Sequence, residues 1–463
     1  MVSCAGGGGA LPLTAAAFPV RLLLAATVVT LWAYPLAAQT AGTRKNAGSK
    51  YFSRTEDEVK WYRNPRDLDI YENYFTLPPT GVLMPPVEPN QEEMPKVELE
   101  GGMGRCTDGS NPVYYLAYGP SSTKWVIFLE GGDWCTRYDN IGDKDGRRNC
   151  VERRDKTGLQ GGTTREDPEA LRIHSLGDDY GQLDGNPDRN PLMHDWNKVY
   201  IRNCDGSSFT SAREDVKRVD GEVVYFRGKF ILDEVMADLI QTKHLGFATD
   251  VVIAGCSAGG LAVYLHADMM AEAISAKARA LGRADAGDIR VVALADSGFF
   301  LHHAGGLEDC NFVQRMQFMY REMNVTSGLQ PACVAAFDTP NQYKCLFAET
   351  AIHFSKTPLF TMQSIQDGWQ LKWIACNGAG DEDKRNWYGD EMWGALDLAT
   401  RNPKNGGFID ACQHHCHCYE NIYVDGDNQA QAFLKFYNQE GQRVWSTRTC
   451  NTELKGECPL KTG

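Results

Sequence analysis

Positive charge is in short supply in this chain. Lys and Arg number 47 against 60 Asp and Glu, for a formal net charge of −13. Such a balance leaves no electrostatic footprint for wrapping a nucleic acid, and an acidic polysaccharide would have to be met by a local basic patch. Long apolar runs are also scarce. Leu22–Ala37 is broken by Thr27, Thr30 and Pro35 and is short of the ~20 residues that span a bilayer. There is no internal repeat, which argues against a solenoid or propeller.

What is present at the N-terminus has an order. Arg21 precedes the apolar run, the small residues Ala37 and Ala38 follow it, and polar chain begins at Gln39. Residues 1–38 therefore read as a secretory signal peptide, with a signal anchor as the alternative. Residues 39–96 are polar and rich in proline (Pro78-Pro79, Pro85-Pro86, Pro89, Pro95), and read as an N-terminal extension or linker. Residues 97–463 carry the globular pattern. Of 15 cysteines, Cys4 falls in the signal, and the other 14 run from Cys106 to Cys458. In an oxidising compartment such a set reads as several disulfides, although their pairing is not readable from spacing. Asn324-Val325-Thr326 is a glycosylation acceptor. The expectation is a secreted, extracellular protein without stable membrane insertion once the signal is removed.

Short β-rich runs alternate with helical ones. Val113–Tyr118, Trp125–Leu129, Val199–Arg202, Val251–Ala254, Arg290–Ala295 and Leu359–Met362 are the strand candidates. Ile231, Val235 and Leu239, with Leu232, Met236 and Ile240, recur at helical spacing, and Leu261–Leu281 is a further helix. Strands alternating with helices predict an α/β fold: a mostly parallel sheet with helices on both faces. Residues 143–190 and 299–357 read as insertions, the second helical and placed as a rim or lid.

The sharpest motif is Gly255-Cys256-Ser257-Ala258-Gly259-Gly260, set between the buried strand Val251–Ala254 and an Ala/Leu-rich helix. This is the context of a nucleophile elbow. The turn strains the serine backbone, so its neighbours two residues away must lack side chains. The helix N-terminus then faces the reacting oxygen, and the Ala258 N–H is a donor to an oxyanion. A phosphate loop is the competing reading of a Gly-rich turn, but no lysine follows. After the strand Trp125–Leu129 comes Glu130-Gly131-Gly132-Asp133-Trp134-Cys135. A glycine pair directly after an early strand is where a hydrolase supplies its second oxyanion donor, and the N–H groups of Gly132 and Asp133 are the candidates.

Five segments in this order, Leu129–Cys135, Asn203–Phe209, Tyr225–Gly228, Gly255–Gly260 and Lys356–Phe360, resemble the pectin acetylesterase family, which includes the Notum-type carboxylesterases. The resemblance spans roughly residues 97–440. It implies an α/β-hydrolase-like fold, a Ser/Asp/His triad, secretion, disulfides and no metal or other cofactor, with Trp134, Asp205 and Ser207 among the substrate-binding residues.

A triad needs a histidine to take the serine proton and a carboxylate to hold its tautomer, in chain order Ser, acid, His. Asp296 and Asp367 both follow strands beyond Ser257. Asp367 follows the second of these, and Asp367–Gln370 matches the family's Asp-x-Trp-Gln segment, so Asp367 is assigned and Asp296 is the fallback. The family's Cys-x-x-His-Cys pattern selects His415 over His414 and His417. Cys412–Cys418 could alternatively hold zinc, but no second ligand pair is evident.

The resulting expectation is a serine carboxylesterase. Ser257, deprotonated by His415 with Asp367 orienting the ring, attacks an ester carbonyl, and water releases the acid. Removal of acetyl groups from a cell-wall-like polysaccharide is the favoured activity, since Asn203–Phe209 and Cys256 look closer to that branch of the family. Cleavage of a fatty acyl ester from a secreted protein is the first alternative, with Met316, Met319, Tyr320 and Met323 as possible lining of a lipid pocket. An inactive carbohydrate- or lipid-binding member is the second. Asp133 is the feature that favours the last, because a carboxylate beside an oxyanion opposes its charge unless it points away.

Overall fold

The computed structural model describes residues 92–138, 148–283, 285, 287–303, 310–376, 381–416 and 422–450. The expected signal peptide and almost all of the expected extension lie outside these residues, as do His417, Cys418 and Cys458. Among the described residues the strands are β1 (Glu93–Glu98), β2 (Val113–Ala117), β3 (Ser121–Leu129), β4 (Ala170–Arg172), β5 (Trp196–Ile201), β6 (Lys217–Val219), β7 (Glu222–Val224), β8 (Asp250–Cys256), β9 (Arg290–Asp296), β10 (Leu359–Ser364), β11 (Gly406–Asp410) and β12 (Val444–Ser446). All but the β6–β7 ribbon join one sheet in the order β12-β11-β10-β9-β8-β3-β5-β2-β1-β4. From β12 to β5 every pairing is parallel. The remaining pairs, β5–β2, β2–β1 and β1–β4, are antiparallel. The sheet thus takes up Glu93–Lys96 of the expected extension, and β4 comes from the insertion expected over 143–190.

Side chains alternate across a strand, so a run apolar at every position must be buried on both faces. Trp125, Ile127 and Leu129 of β3, with Val251 and Ile253 of β8, pack on one face against Ile231, Val235, Leu239 and Leu261. Those residues belong to the helices Gly228–Gln241 and Ala258–Ala280. Val126, Phe128, Val252 and Ala254 pack on the other face with Ile173, Leu176 and Phe433, from the helices Ile173–Asp179 and Gln429–Tyr437. The expected insertion at 299–357 carries the helices Phe312–Glu322 and Pro331–Ala336. No described helix is long and apolar enough to cross a membrane.

The sheet's parallel part aims the C-terminal ends of β3, β8, β9, β10 and β11 the same way. A buried charge network braces that end. Arg202, just past β5, bonds the carboxylates of both Glu130 and Asp167 with all three side chains fully buried. Glu130 also accepts from Tyr200 Oη (2.9 Å), Gln160 N (2.8 Å) and Asn203 N (2.7 Å). This network therefore fixes Glu130, the first residue after β3. Removing one partner of such a network leaves uncompensated buried charge, so Arg202→Met should cost about 3–5 kcal/mol, measured by denaturant unfolding.

Candidate active site

Ser257 connects β8 to the helix Ala258–Ala280 with φ 57 and ψ −125, a left-handed conformation that is strained for a residue with a Cβ. The strain is held by the hydrogen bond from Ser257 N to the Asp296 carbonyl (2.9 Å) and by the first helical bond, Leu261 N to Ser257 O (2.9 Å). The flanking glycines are sterically required. A Cβ on Gly259 would lie 1.9 Å from the Leu129 carbonyl oxygen, and one on Gly255 would lie 2.5 Å from that of Gly259. The elbow is wedged between the ends of β3 and β9, which is why no side chain fits on either flank.

The histidine comes from the irregular segment after β11. His415 Nε2 lies 2.8 Å from Ser257 Oγ, and His415 Nδ1 lies 2.8 and 3.0 Å from the Asp367 carboxylate oxygens. A carboxylate can only accept, so Nδ1 carries the proton, Nε2 is left as the acceptor and Ser257 Oγ–H donates to it. Asp367 is fully buried and caps the helix Gly368–Trp373, accepting from Gln370 N (3.0 Å) and Gln363 Nε2 (3.1 Å). Trp369 stacks on the His415 ring at 5.9 Å between centroids, and Phe300 lies at 6.3 Å.

The alternatives raised by the sequence are engaged elsewhere. His414 Nε2 pairs with the Asp410 carboxylate (3.0 Å) and is buried. The Asp296 carboxylate accepts from Gln182 Nε2 (3.1 Å) and Ser297 Oγ (3.0 Å), while its carbonyl takes the Ser257 N–H. Cys412 pairs with Cys450, and Cys416 with Cys256, so neither sulfur is a thiolate for a metal. Further disulfides join Cys106–Cys204, Cys135–Cys150, Cys310–Cys376 and Cys333–Cys345.

The glycine loop after β3 runs directly against Ser257. A Cβ on Gly131 would fall 2.6 Å from the Cys256 carbonyl oxygen and 3.1 Å from Ser257 Cβ. Gly132 has φ 109, a conformation suited to glycine, and its carbonyl is held by Arg153 Nη1 (2.8 Å). Asp133 has φ 63 and spends its carboxylate on other groups. Oδ1 accepts from Trp134 N (2.8 Å) and Arg315 Nη2 (3.0 Å), and Oδ2 faces Arg148 Nε at 3.5 Å. Two buried guanidiniums therefore balance the charge that stood against an oxyanion at this position. Ala258 is the first residue of the long helix, where N–H groups have no acceptor within the helix.

The three residues expected to bind substrate are all buried. Asp205 and Ser207 were expected at the substrate, but both are fully buried and bonded to each other. Ser207 Oγ also lies at hydrogen-bonding distance from Ser211 Oγ (2.8 Å), and Ser211 Oγ accepts from Gly228 N (2.9 Å). Burial raises the Asp205 carboxyl above its ordinary value. These two residues tie the turn after β5 to the helix Gly228–Gln241. Trp134 is likewise enclosed, edge-on to Phe300 (4.9 Å) and Trp369 (5.8 Å) and tilted against Phe312 (5.4 Å). Its indole N–H donates to Ser208 Oγ (2.6 Å), which donates to the Ala258 carbonyl (2.7 Å). Met316, Met319 and Met323 are fully buried in the main core, while Tyr320 Oη donates to Gln342 (2.7 Å). Reasoning from sequence missed Gln363, Ser297, Arg148 and Arg315, none of which carries a local signal.

The turn containing Ser208 and Phe209, both at positive φ, rests on a buried histidine. His266 Nε2 bonds the Ser208 carbonyl at 2.9 Å. Desolvation lowers its pKa from 6.5 to about 3, against a smaller opposing pull from that carbonyl. The folded protein thus keeps the ring neutral down to about 3, while the unfolded chain takes up a proton below 6.5. Stability should fall as pH drops through that window, and above it His266 should add nothing to the pH dependence. His266→Gln is expected to flatten the acid limb of the stability curve by up to one proton, measured by chemical denaturation across pH.

The sheet, the elbow and the Ser–His–Asp series together define an α/β-hydrolase-like protein. The pectinacetylesterase family profile matches residues 94–438, and the chain belongs to that family, which places it among the carboxylic ester hydrolases. Pectin acetylesterase 11 of Arabidopsis thaliana is 28% identical over 352 residues, covering 70% of this chain and 80% of the relative. The palmitoleoyl-protein carboxylesterase notum2 of Xenopus laevis is 26% identical over 323 residues, covering 67% and 59%. In fold, the chain is similar to the solved Wnt deacylase Notum from Drosophila, with a TM-score of 0.64 and 24% identity over 79% of this chain and 99% of that one.

Proposed function

We propose that this chain is a secreted serine esterase that removes acetyl groups from a polysaccharide through an acyl-enzyme. The observation that carries the reading is the unbroken series from Ser257 Oγ to His415 Nε2 (2.8 Å) and from His415 Nδ1 to Asp367 (2.8 Å). His415 takes the serine proton as Oγ attacks the ester carbonyl. Asp367 holds the tautomer and stabilises the imidazolium that forms. The N–H groups of Ala258, Gly132 and Asp133 receive the oxyanion, with the Asp133 carboxylate turned to Arg315 and Arg148. His415 then returns its proton to the leaving sugar hydroxyl and activates a water that releases acetate.

The short acyl group is favoured by the packing beside the base. Trp134, Phe300 and Phe312 are fully buried against one another, and the methionines that could line a lipid channel belong to the core. Relatives named pectin acetylesterase support the same substrate class. Residues 1–38 serve as the signal peptide and the proline-rich stretch to residue 96 as an extension ahead of the esterase domain. The six disulfides among the described residues fit an oxidising, extracellular setting.

The test is turnover of nitrophenyl acetate and nitrophenyl octanoate by the purified protein. Acetate should be the better substrate, and Ser257→Ala should lower kcat by roughly 10⁴–10⁶-fold with the fold retained. Faster cleavage of the octanoate would favour the fatty-acyl reading. No turnover at either chain length would favour a binding protein.

A further inference from the structure

His415 sits between the end of β11 and Cys416 on chain that has no strand or helix of its own. Its backbone is therefore fixed by tethers from side chains and neighbouring loops, not by ladder bonds. At one end, Cys412 is bound to Cys450, and the Cys412 carbonyl accepts from Ser364 Oγ (2.5 Å). The His414 carbonyl accepts from Gly368 N (3.2 Å). At the other end is the Cys256–Cys416 disulfide.

That last tether differs in what it connects. Cys256 immediately precedes Ser257 and Cys416 immediately follows His415, so one covalent bond spans residues 160 apart in sequence whose neighbours are the nucleophile and base, with Cα atoms 5.8 Å apart. The strand alternation that buries Val252 and Ala254 on one face sends Cys256 to that same face, in the cluster that includes Cys412. Cys416 has φ 68, a strained conformation for a residue with a Cβ that persists only where the surroundings over-determine it. The Cys416 N–H donates to Ser297 Oγ (2.8 Å), Ser297 Oγ donates to the Asp296 carboxylate (3.0 Å), and the Asp296 carbonyl accepts the Ser257 N–H (2.9 Å). The disulfide thus closes a ring of covalent and hydrogen bonds that runs through the Ser257 N–H and through the Cys416 N–H, the peptide nitrogen to which the His415 carbonyl carbon is bonded. Asp367 and Trp369 orient the imidazole, but neither anchors the backbone that carries it.

The geometry points to Cys256–Cys416 as a positioning clamp for acyl transfer, holding His415 Nε2 at hydrogen-bonding distance from Ser257 Oγ. This rests on the Ser257–His415–Asp367 reading above. The clamp touches no substrate, so its effect falls on the chemical step and not on binding. Displacements of an ångström in a reacting pair cost rate steeply, up to about 10²-fold.

The experiment compares the double variant Cys256→Ala/Cys416→Ala with Cys333→Ala/Cys345→Ala, which removes a disulfide from the helical insertion. Nitrophenyl acetate kinetics, thermal melting and the rate of fluorophosphonate labelling at Ser257 are measured on each. The clamp variant should lose roughly 10–100-fold in kcat with KM within about twofold, and its labelling should slow in parallel. The acid limb of its kcat/KM against pH should also move. The insertion variant should melt lower yet keep its kcat. If the clamp variant does not fold, Ser297→Ala removes only the hydrogen-bonded arm of the ring and should lower kcat several-fold at unchanged KM. A folded clamp variant, or in its place a folded Ser297→Ala, with parental kcat and labelling overturns the inference. If Ser257→Ala itself retains turnover, the triad reading fails instead.

Discussion

Ser257 is held at φ 57 between a parallel strand and a long helix, and the surrounding chain is organised to keep it there. A left-handed serine can persist only if its neighbours leave room and its backbone groups are bonded. Gly255 and Gly259 supply the room, since either Cβ would strike a carbonyl oxygen. Asp296 supplies the bond from the adjacent strand end. Because β3, β8 and β9 are parallel neighbours, their C-terminal ends converge on this one turn. The glycine donor loop, the elbow and the Asp296–Ser297 turn therefore arrive together, with no long side chain having to reach across.

The second theme is compensation of buried charge. The loop beside Ser257 carries Glu130 and Asp133, and an acidic loop is an unpromising place to stabilise an oxyanion. Glu130 is neutralised by Arg202, and Asp133 by Arg315 with Arg148. These arginines come from three separate parts of the chain: the end of β5, the helix Phe312–Glu322 and the residues just before Cys150. Asp133 thus joins the donor loop to two insertions while leaving its backbone N–H for other use. In the same way, Asp205 and Ser207 stiffen the turn that supports Trp134 through Ser208.

Much of the architecture was legible in residue patterns. All six strand candidates and both principal helices are found, because strands buried on both faces read as unbroken apolar runs and helices as i, i+4 repeats. Besides the β6–β7 ribbon, the main-sheet strands β1, β4, β11 and β12 escaped notice. β4 and β12 are three residues long, β1 begins in proline-rich chain, and β11 starts with two glycines, so none shows a strong run. At the site, Ser257 had a strand–turn–helix context that the chain announces locally. Asp367 and His415 needed the family resemblance as well, since His414 and His415 differ by one residue and nothing local says which faces the serine.

The sequence by itself determined the class of fold, the elbow and the short set of groups able to do acyl-transfer chemistry, because these depend on spacing within a few residues. Only the tertiary structure decided how those groups are used. It turned His414 to Asp410 and His415 to Ser257, paired Asp133 with distant arginines, buried Asp205 and Ser207, and joined Cys256 to Cys416. Apart from the His414–Asp410 pair, four positions apart, these outcomes depend on contacts between residues tens to hundreds of positions apart. Such contacts come from the parallel order of the strands and the paths of the insertions, which no local pattern encodes.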